Sequence, residues 1–306
     1  MKTQVIPTEY LSYFLKKQPL TIEKHLGKLR KLPMDEERLE TFIAKVAVYS
    51  SMIEGNPIDW DKYVNFKLTG IKKESLLYRE TIEISIAKSA FYSSTMEDNT
   101  LDLDEFLKDQ FPWMKTNTSY LAEIRDLICA YKFATKESLD INTFLKTHEI
   151  FSQTLLNKPE YRGLFRKVEA GVYNNRQKIY SATPASQVES EMNKLFSDIE
   201  IFLNSNLPAA EIFYYASMIH LVFVHIHPFV DGNGRAARLL EKWFLAQKIG
   251  PVAWIIPSEE LYLTRIREYS ENINLGPDYE RVNYRLSIPF LLLLPTTLTT
   301  KFKTNV

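Results

Sequence analysis

Apolar residues recur at three- and four-residue spacing along most of this chain, the spacing of one face of an α-helix. The pattern predicts helices in LETFIAKVAVYSSMI (39–53), ESLLYRETIEISIAKSAFY (74–92), SYLAEIRDLICAYKFA (119–134) and INTFLKTHEIFSQTLL (141–156). It continues in SEMNKLFSDIEIFL (190–203) and AAEIFYYASMIHLVFVHI (209–226). In RAARLLEKWFLAQ (235–247) it places Ala236, Leu239, Leu240 and Trp243 on one face. One stretch breaks the pattern. RKVEAGVYNNRQKIYSATP (166–184) carries β-favouring residues around Asn174-Asn175, a pair that tolerates a left-handed turn, and predicts a short hairpin. The expected class is all-α, a helical bundle with one small β-hairpin.

Three regions follow: a helical N-terminal region over 1–110, a helical core over 111–275, and a tail over 276–306 to which the pattern assigns no fold. The tail holds the longest apolar run, IPFLLLLP (288–295). It is too short to span a bilayer and is bracketed by prolines, so it is expected to pack on the body of the protein or on another chain. The N-terminal MKTQVIPTEY has no apolar signal core.

Composition narrows the reading modestly. At 306 residues the chain can bury one large core or two modest ones, and 45% hydrophobic with 25% charged residues is ordinary for a globular protein. A net charge of zero favours neither nucleic acid nor a membrane surface as partner. Nine glycines are few for a fold built on many tight strand-to-helix turns. The single cysteine, Cys129, excludes an internal disulfide; it reads as a buried small hydrophobe in a reducing, cytoplasmic compartment.

The chemistry concentrates in HPFVDGNGRAARLL (227–240). Arginines are unfavourable where a helix begins, because the unpaired N–H groups there already carry partial positive charge. They make sense around a strongly anionic ligand. Gly232-Asn233-Gly234 can turn tightly and aim successive N–H groups at one point, and a helix starting there adds its dipole. Arg235 and Arg238, three apart, share a helical face and can clamp one multiply charged ligand. Asp231 suits Mg²⁺, which binds through one or two carboxylates plus phosphates. His227 is the one group in the stretch able to take a proton near neutral pH. The parts describe a magnesium–polyphosphate site with a general base beside it.

Two rival readings use the same letters. GNGRAA fits the G-x-G-x-x-A dinucleotide fingerprint, with LVFVHI as its strand, VAWII as the next and Glu259 as the ribose acid. That fingerprint wants the strand adjacent to the first glycine, whereas HPFVD intervenes. His220, His225 and His227 could hold a metal, but His220 and His225 lie on different helical faces, and no cysteine or acid completes a zinc set.

Residues 227–238 resemble, position for position, the H-x-F-x-[DE]-G-N-G-R-x-x-R signature of the Fic (AMP-transferring) family. Tyr161-Arg162-Gly163-Leu164-Phe165-Arg166 is similar to the family's P-G-x-[FY]-R stretch, with Arg162 where the pattern has proline. The resemblance, over roughly 35–275, implies a Fic-type helical bundle with a hairpin flap. It implies that His227 deprotonates a hydroxyl of a target protein, which attacks the α-phosphate of ATP. It gives Mg²⁺ to Asp231 and the phosphates to Gly232, Asn233, Gly234, Arg235 and Arg238, and makes Phe229 a packing anchor for the loop. Gly234 stands where kinase-like relatives carry lysine, which favours AMP transfer; removal of AMP, transfer of another nucleotide-derived group and a non-catalytic ATP sensor are the alternatives. The implied partners are ATP and a hydroxyl-bearing target, with self-modification and a homodimer both compatible. The flap's strand edge is expected to hold the target backbone.

Two further assignments rest on this resemblance. Tyr269, in SEELYLTRIREYSEN, is placed near the adenine. Ser50-Ser51-Met52-Ile53-Glu54-Gly55-Asn56 resembles the inhibitory [ST]-x-x-x-E-[GN] motif, so Glu54, steadied by Ser50 one turn away, is expected to pair with Arg238 and autoinhibit the enzyme.

Overall fold

A computed structural model describes residues 2–18, 22–26, 91–92, 119–174, 177–256 and 258–298. Ser50 and Glu54 lie outside these residues, as do the predicted helices 39–53 and 74–92 apart from Phe91 and Tyr92, which are helical and buried. The described residues are mostly helical, with one two-stranded antiparallel sheet.

Six longer or site-bearing helices set the frame: α1 (Leu11–Lys17), α2 (Ser119–Ala134), α3 (Ile141–Leu155), α4 (Val188–Asn204), α5 (Ala209–Ile226) and α6 (Asn233–Ile249). Two shorter ones follow, α7 (Ser258–Thr264) and α8 (Ile266–Ile273). Local chemistry fixes several ends. Asp140 Oδ1 accepts the N–H groups of Asn142 and Thr143 at 2.7 and 2.9 Å, and Thr143 Oγ1 accepts the Asp140 N–H at 3.0 Å. That reciprocal pair starts α3.

α5 is apolar all round and packs against α4, α6 and α1. By length and composition it could cross a bilayer, yet 89% of it is enclosed by the rest of the protein, which makes it a core helix. α6 departs from the one-faced helix its sequence suggests. Ala236, Leu239, Leu240 and Trp243 are fully buried, but so are Arg238, Glu241 and Lys242. The chain encloses it on every side for its first three turns.

The hairpin forms as expected. β1 (Gly171–Asn174) and β2 (Gln177–Ser181) pair antiparallel with Asn174 opposite Gln177; residues 175–176 between them lie outside the described residues. The described part of the tail, 276–298, is folded too. Ser181 bridges Asp278, the Ser181 N–H donates to the Pro277 carbonyl at 3.0 Å, and the short helices Ile288–Leu291 and Leu293–Thr296 pack on α5. Phe290, Leu291, Leu293 and Leu294 are buried, so the apolar run covers the protein's own body.

One sequence expectation fails. Cys129 is exposed. The buried stripe of α2 runs through Leu127, Ala130, Tyr131 and Ala134, and position 129 falls off it.

Candidate active site

α5 ends at His227, which adopts the left-handed conformation (φ 55°, ψ 60°) and donates its N–H to the Phe223 carbonyl at 2.9 Å. Among the described residues it is the one non-glycine at positive φ. Such a conformation is uncommon outside glycine, so the surroundings must hold it. The chain then crosses to α6 in five residues, and three contacts fix that crossing.

Phe229 is fully buried, stacked on His148 at 3.6 Å between centroids and ringed by Phe144, Phe165 and Phe223. Asn233 closes the loop on itself: its Oδ1 accepts the Phe229 N–H at 2.9 Å and its Nδ2 donates to the Phe229 carbonyl at 3.0 Å. His148 ties loop to scaffold. Its Nδ1 accepts the Gly163 N–H at 2.9 Å, which leaves the proton on Nε2 for the Asp231 carbonyl at 3.1 Å. Burial pushes the pKa of His148 down to about 4, against the opposing bond to Asp231, so the ring stays neutral at physiological pH.

α6 begins at Asn233 behind Gly232, itself left-handed at φ 81°. The first helical bond runs from the Ala236 N–H to the Gly232 carbonyl at 2.9 Å, so the amides ahead of Ala236 find no acceptor within the helix. A helix N-terminus therefore sits a few residues past His227. Arg235 and Arg238 rise from its first turns, 6% and 1% exposed. They are not solvated surface arginines. Asp231 lies at the mouth, its side chain exposed and its Oδ1 accepting the Gly232 N–H at 2.6 Å.

Behind Arg238 lies a buried polar network. Arg238 Nη1 donates to the Tyr269 hydroxyl at 3.4 Å, His220 Nε2 is 3.0 Å from the same oxygen, and His220 Nδ1 is 3.0 Å from Glu241 Oε2. Tyr262 donates to Glu241, Lys242 pairs with Glu259, and Tyr131 and Ser258 donate to Glu259. Burial and the adjacent carboxylates raise the pKa values of Tyr131 and Tyr262, keeping both as donors. Tyr269 thus meets Arg238 through its hydroxyl, from within the core.

The structure brings His227, Asp231, Gly232, Asn233, Gly234, Arg235 and Arg238 together on one helix junction, with Tyr269 behind it. The dinucleotide reading fails, because LVFVHI lies in helix α5 and Glu259 is taken up by Lys242. The metal triad fails as well: His220 and His225 are engaged inside the core, and no group of three or more His, Cys, Asp or Glu that could hold a metal occurs among the described residues. Sequence reasoning passed over His148 and Arg166. Arg166 bonds the Ile226 and His227 carbonyls where α5 ends, and its place in the stretch 161–166 was the available signal.

Residues 138–245, from α3 through most of α6, match the Fic/DOC family. Over this stretch the chain is similar to the Fic/DOC family. It is 32% identical over 121 residues to the protein adenylyltransferase Fic of Aedes aegypti, a match covering 39% of this chain and 23% of that relative. The chain thus spans about a quarter of that relative's length. Among solved structures it is similar to a Fic family protein from Desulfovibrio desulfuricans G20, with 21% identity, TM-score 0.60, and 85% and 73% of the two chains covered. A Fic domain-containing signaling protein from Bacteroides thetaiotaomicron VPI-5482 superposes with 18% identity, TM-score 0.56, and coverage of 79% and 94%. These two likenesses concern the fold.

Proposed function

We propose that this chain is a protein adenylyltransferase that moves AMP from ATP to a tyrosine, serine or threonine hydroxyl of a target protein. The observation that carries the reading is the fixed loop from His227 to Arg238, which sets a titratable imidazole five residues before a glycine-capped helix N-terminus. The name borne by the Aedes relative supports the same activity.

In this reading the acceptor hydroxyl gives its proton to His227 while its oxygen bonds to the α-phosphorus of ATP. The bond from that phosphorus to the oxygen bridging to the β-phosphate breaks, and diphosphate leaves. Positioning and charge stabilisation supply most of the rate in such transfers. The α6 amides and the arginines would neutralise charge on the phosphates. The exposed Asp231 carboxylate, the one acid between 227 and 238, would hold Mg²⁺ beside the phosphates. When bound, Mg²⁺ supplies charge neutralisation on those oxygens. Tyr269 is assigned beside the adenine on resemblance. Glu54 and Ser50 form the proposed inhibitory pair, with Glu54 withdrawing Arg238 from the γ-phosphate. The hairpin edge would hold the target as an added strand.

The deciding experiment is incubation of the protein with labelled ATP, Mg²⁺ and cell lysate, followed by mass spectrometry of modified hydroxyls. His227→Ala is expected to abolish transfer while ATP affinity changes less than about threefold, since the base acts on the acceptor and not on the phosphates. Transfer at the wild-type rate in that variant would sink the mechanism. Tight ATP binding with no modified product would leave an ATP sensor instead.

A further inference from the structure

Arg166 is a 3% exposed guanidinium with no place in the chemistry above. Its Nε donates to the His227 carbonyl at 2.7 Å and its Nη2 to the Ile226 carbonyl at 3.3 Å. The same side chain donates from Nη1 to the Val168 carbonyl at 2.8 Å and from Nη2 to the Thr183 carbonyl at 2.5 Å. Val168 and Thr183 are the two feet of the hairpin, which closes just above them through the Ala182 N–H to the Ala170 carbonyl at 3.1 Å. The Arg166 N–H also donates to the Pro228 carbonyl at 2.9 Å, and the Tyr180 hydroxyl on β2 donates to the His225 carbonyl at 2.8 Å.

Four successive carbonyls, 225 to 228, are therefore held from the segment 166–180. The last carbonyls of a helix have no partner within it, and a cation at that end also complements the helix dipole. A planar five-donor fork can serve both sides of this junction at once, whereas an ammonium on a flexible stem cannot. Without these bonds His227 has a much weaker reason to keep its left-handed backbone, which aims the ring, and the hairpin has a weaker tie to it.

We infer that Arg166 is a positioning residue that couples the hairpin to His227, so that a strand docked on the hairpin is registered against the base. This deepens the proposed activity and rests on it. An extended acceptor held on β1 or β2 would carry its hydroxyl to a fixed height over the imidazole, because one side chain sets the origin of both.

The test compares wild type, Arg166→Ala and Arg166→Lys in the full chain. ATP affinity with Mg²⁺ should stay within about threefold, since the anion site lies beyond the junction. Transfer kcat should fall about a hundredfold, the loss expected when a reacting group is misplaced by about 1 Å. Guanidinium at non-denaturing concentration should restore at least tenfold in Arg166→Ala, whereas methylammonium at equal ionic strength should not. Hydrogen exchange should quicken in 168–183 and 226–229 and stay unchanged in α4. Transfer within threefold of wild type in both variants overturns the inference. So does a joint loss of ATP binding and transfer that guanidinium leaves unrepaired. If the wild type transfers no AMP to any acceptor, the proposed activity falls and the exchange data alone decide. Faster exchange confined to the two segments in Arg166→Lys then upholds the coupling, and unchanged or chain-wide exchange overturns it.

Discussion

A Cβ at Gly232 would lie 2.8 Å from the Phe151 ring and 3.1 Å from Leu155, on a backbone at φ 81° that side-chain-bearing residues rarely adopt. The first turn of α6 can approach α3 this closely because nothing projects there, and Asp231 is thereby turned outward with Oδ1 on the Gly232 N–H. That geometry separates the hydrogen bond Asp231 makes from the Mg²⁺ role proposed for it. Asp231→Asn keeps an acceptor for the Gly232 amide and loses the charge. It is expected to fold as wild type and to lose at least tenfold in Mg²⁺-dependent ATP affinity, measured by calorimetry with and without the metal. Transfer by the wild type that persists in excess EDTA would remove Asp231 from this role. At this scale the site was legible because its residues are contiguous, each with a chemistry readable from its letter. His148 and Arg166 were not, because their meaning lies in partners 83 and 61 positions away. Arg162 shows the same limit. Where the pattern has proline, its guanidinium donates to the Leu156 carbonyl and to Gln153, holding the turn by hydrogen bonds in place of a fixed ring.

Helices 119–134, 141–156, 190–203 and 209–226 were legible from period alone, since each buries one stripe or, for α5, its whole girth. The period misleads where a helix is enclosed. Glu241 and Lys242 fall outside the stripe of Ala236, Leu239, Leu240 and Trp243, yet both are buried, where α7 supplies Glu259 to Lys242 and Tyr262 to Glu241. The proposed inhibitory contact belongs to this scale as well. The sequence predicts a helix over 39–53 ending near Gly55-Asn56-Pro57, an expectation that would set Glu54 at its electronegative end, while Arg238 stands in the second turn of α6, near its electropositive end. In the proposed contact each charge would offset the other's unfavourable helix-end position. Arg238 is 1% exposed, so a carboxylate reaching it there would count for far more than a surface contact. Glu54→Gly is expected to raise AMP transfer at least tenfold, read as initial rate at saturating ATP. Arg238→Ala should be poorly active and should stay so when combined with Glu54→Gly. An unchanged rate in Glu54→Gly would falsify the autoinhibition and leave the transferase intact.

For the whole molecule, the buried histidines couple folding to pH. Desolvation lowers His148 and His225 from the ordinary 6.5 to about 4, in each case against backbone hydrogen bonds that favour the charged form. Both rings are neutral in the folded chain at pH 5.5, whereas in the unfolded chain they have largely taken up protons. The unfolded state therefore binds more protons between pH 6.5 and 4, and stability falls as pH drops through that window. Each histidine costs about 1.4 kcal/mol per pH unit there, so moving from pH 7.5 to 5.5 should remove about 3 kcal/mol. Urea unfolding at the two pH values measures this directly. His148→Gln keeps a donor and an acceptor for Asp231 and Gly163 and cannot titrate, so it should cut the loss by about half while lowering stability at pH 7.5 only through packing. His148 and His225 clamp the two ends of the same junction, one on the Asp231 carbonyl and one on the Ile273 carbonyl beside α5. Protonation of either ring would therefore loosen the junction that carries His227. AMP transfer is expected to fail on the acid side together with the unfolding transition of that region, and His148→Gln should carry both to lower pH. A pH dependence of unfolding unaltered in His148→Gln would show that the ring is not held neutral by its burial against Phe229.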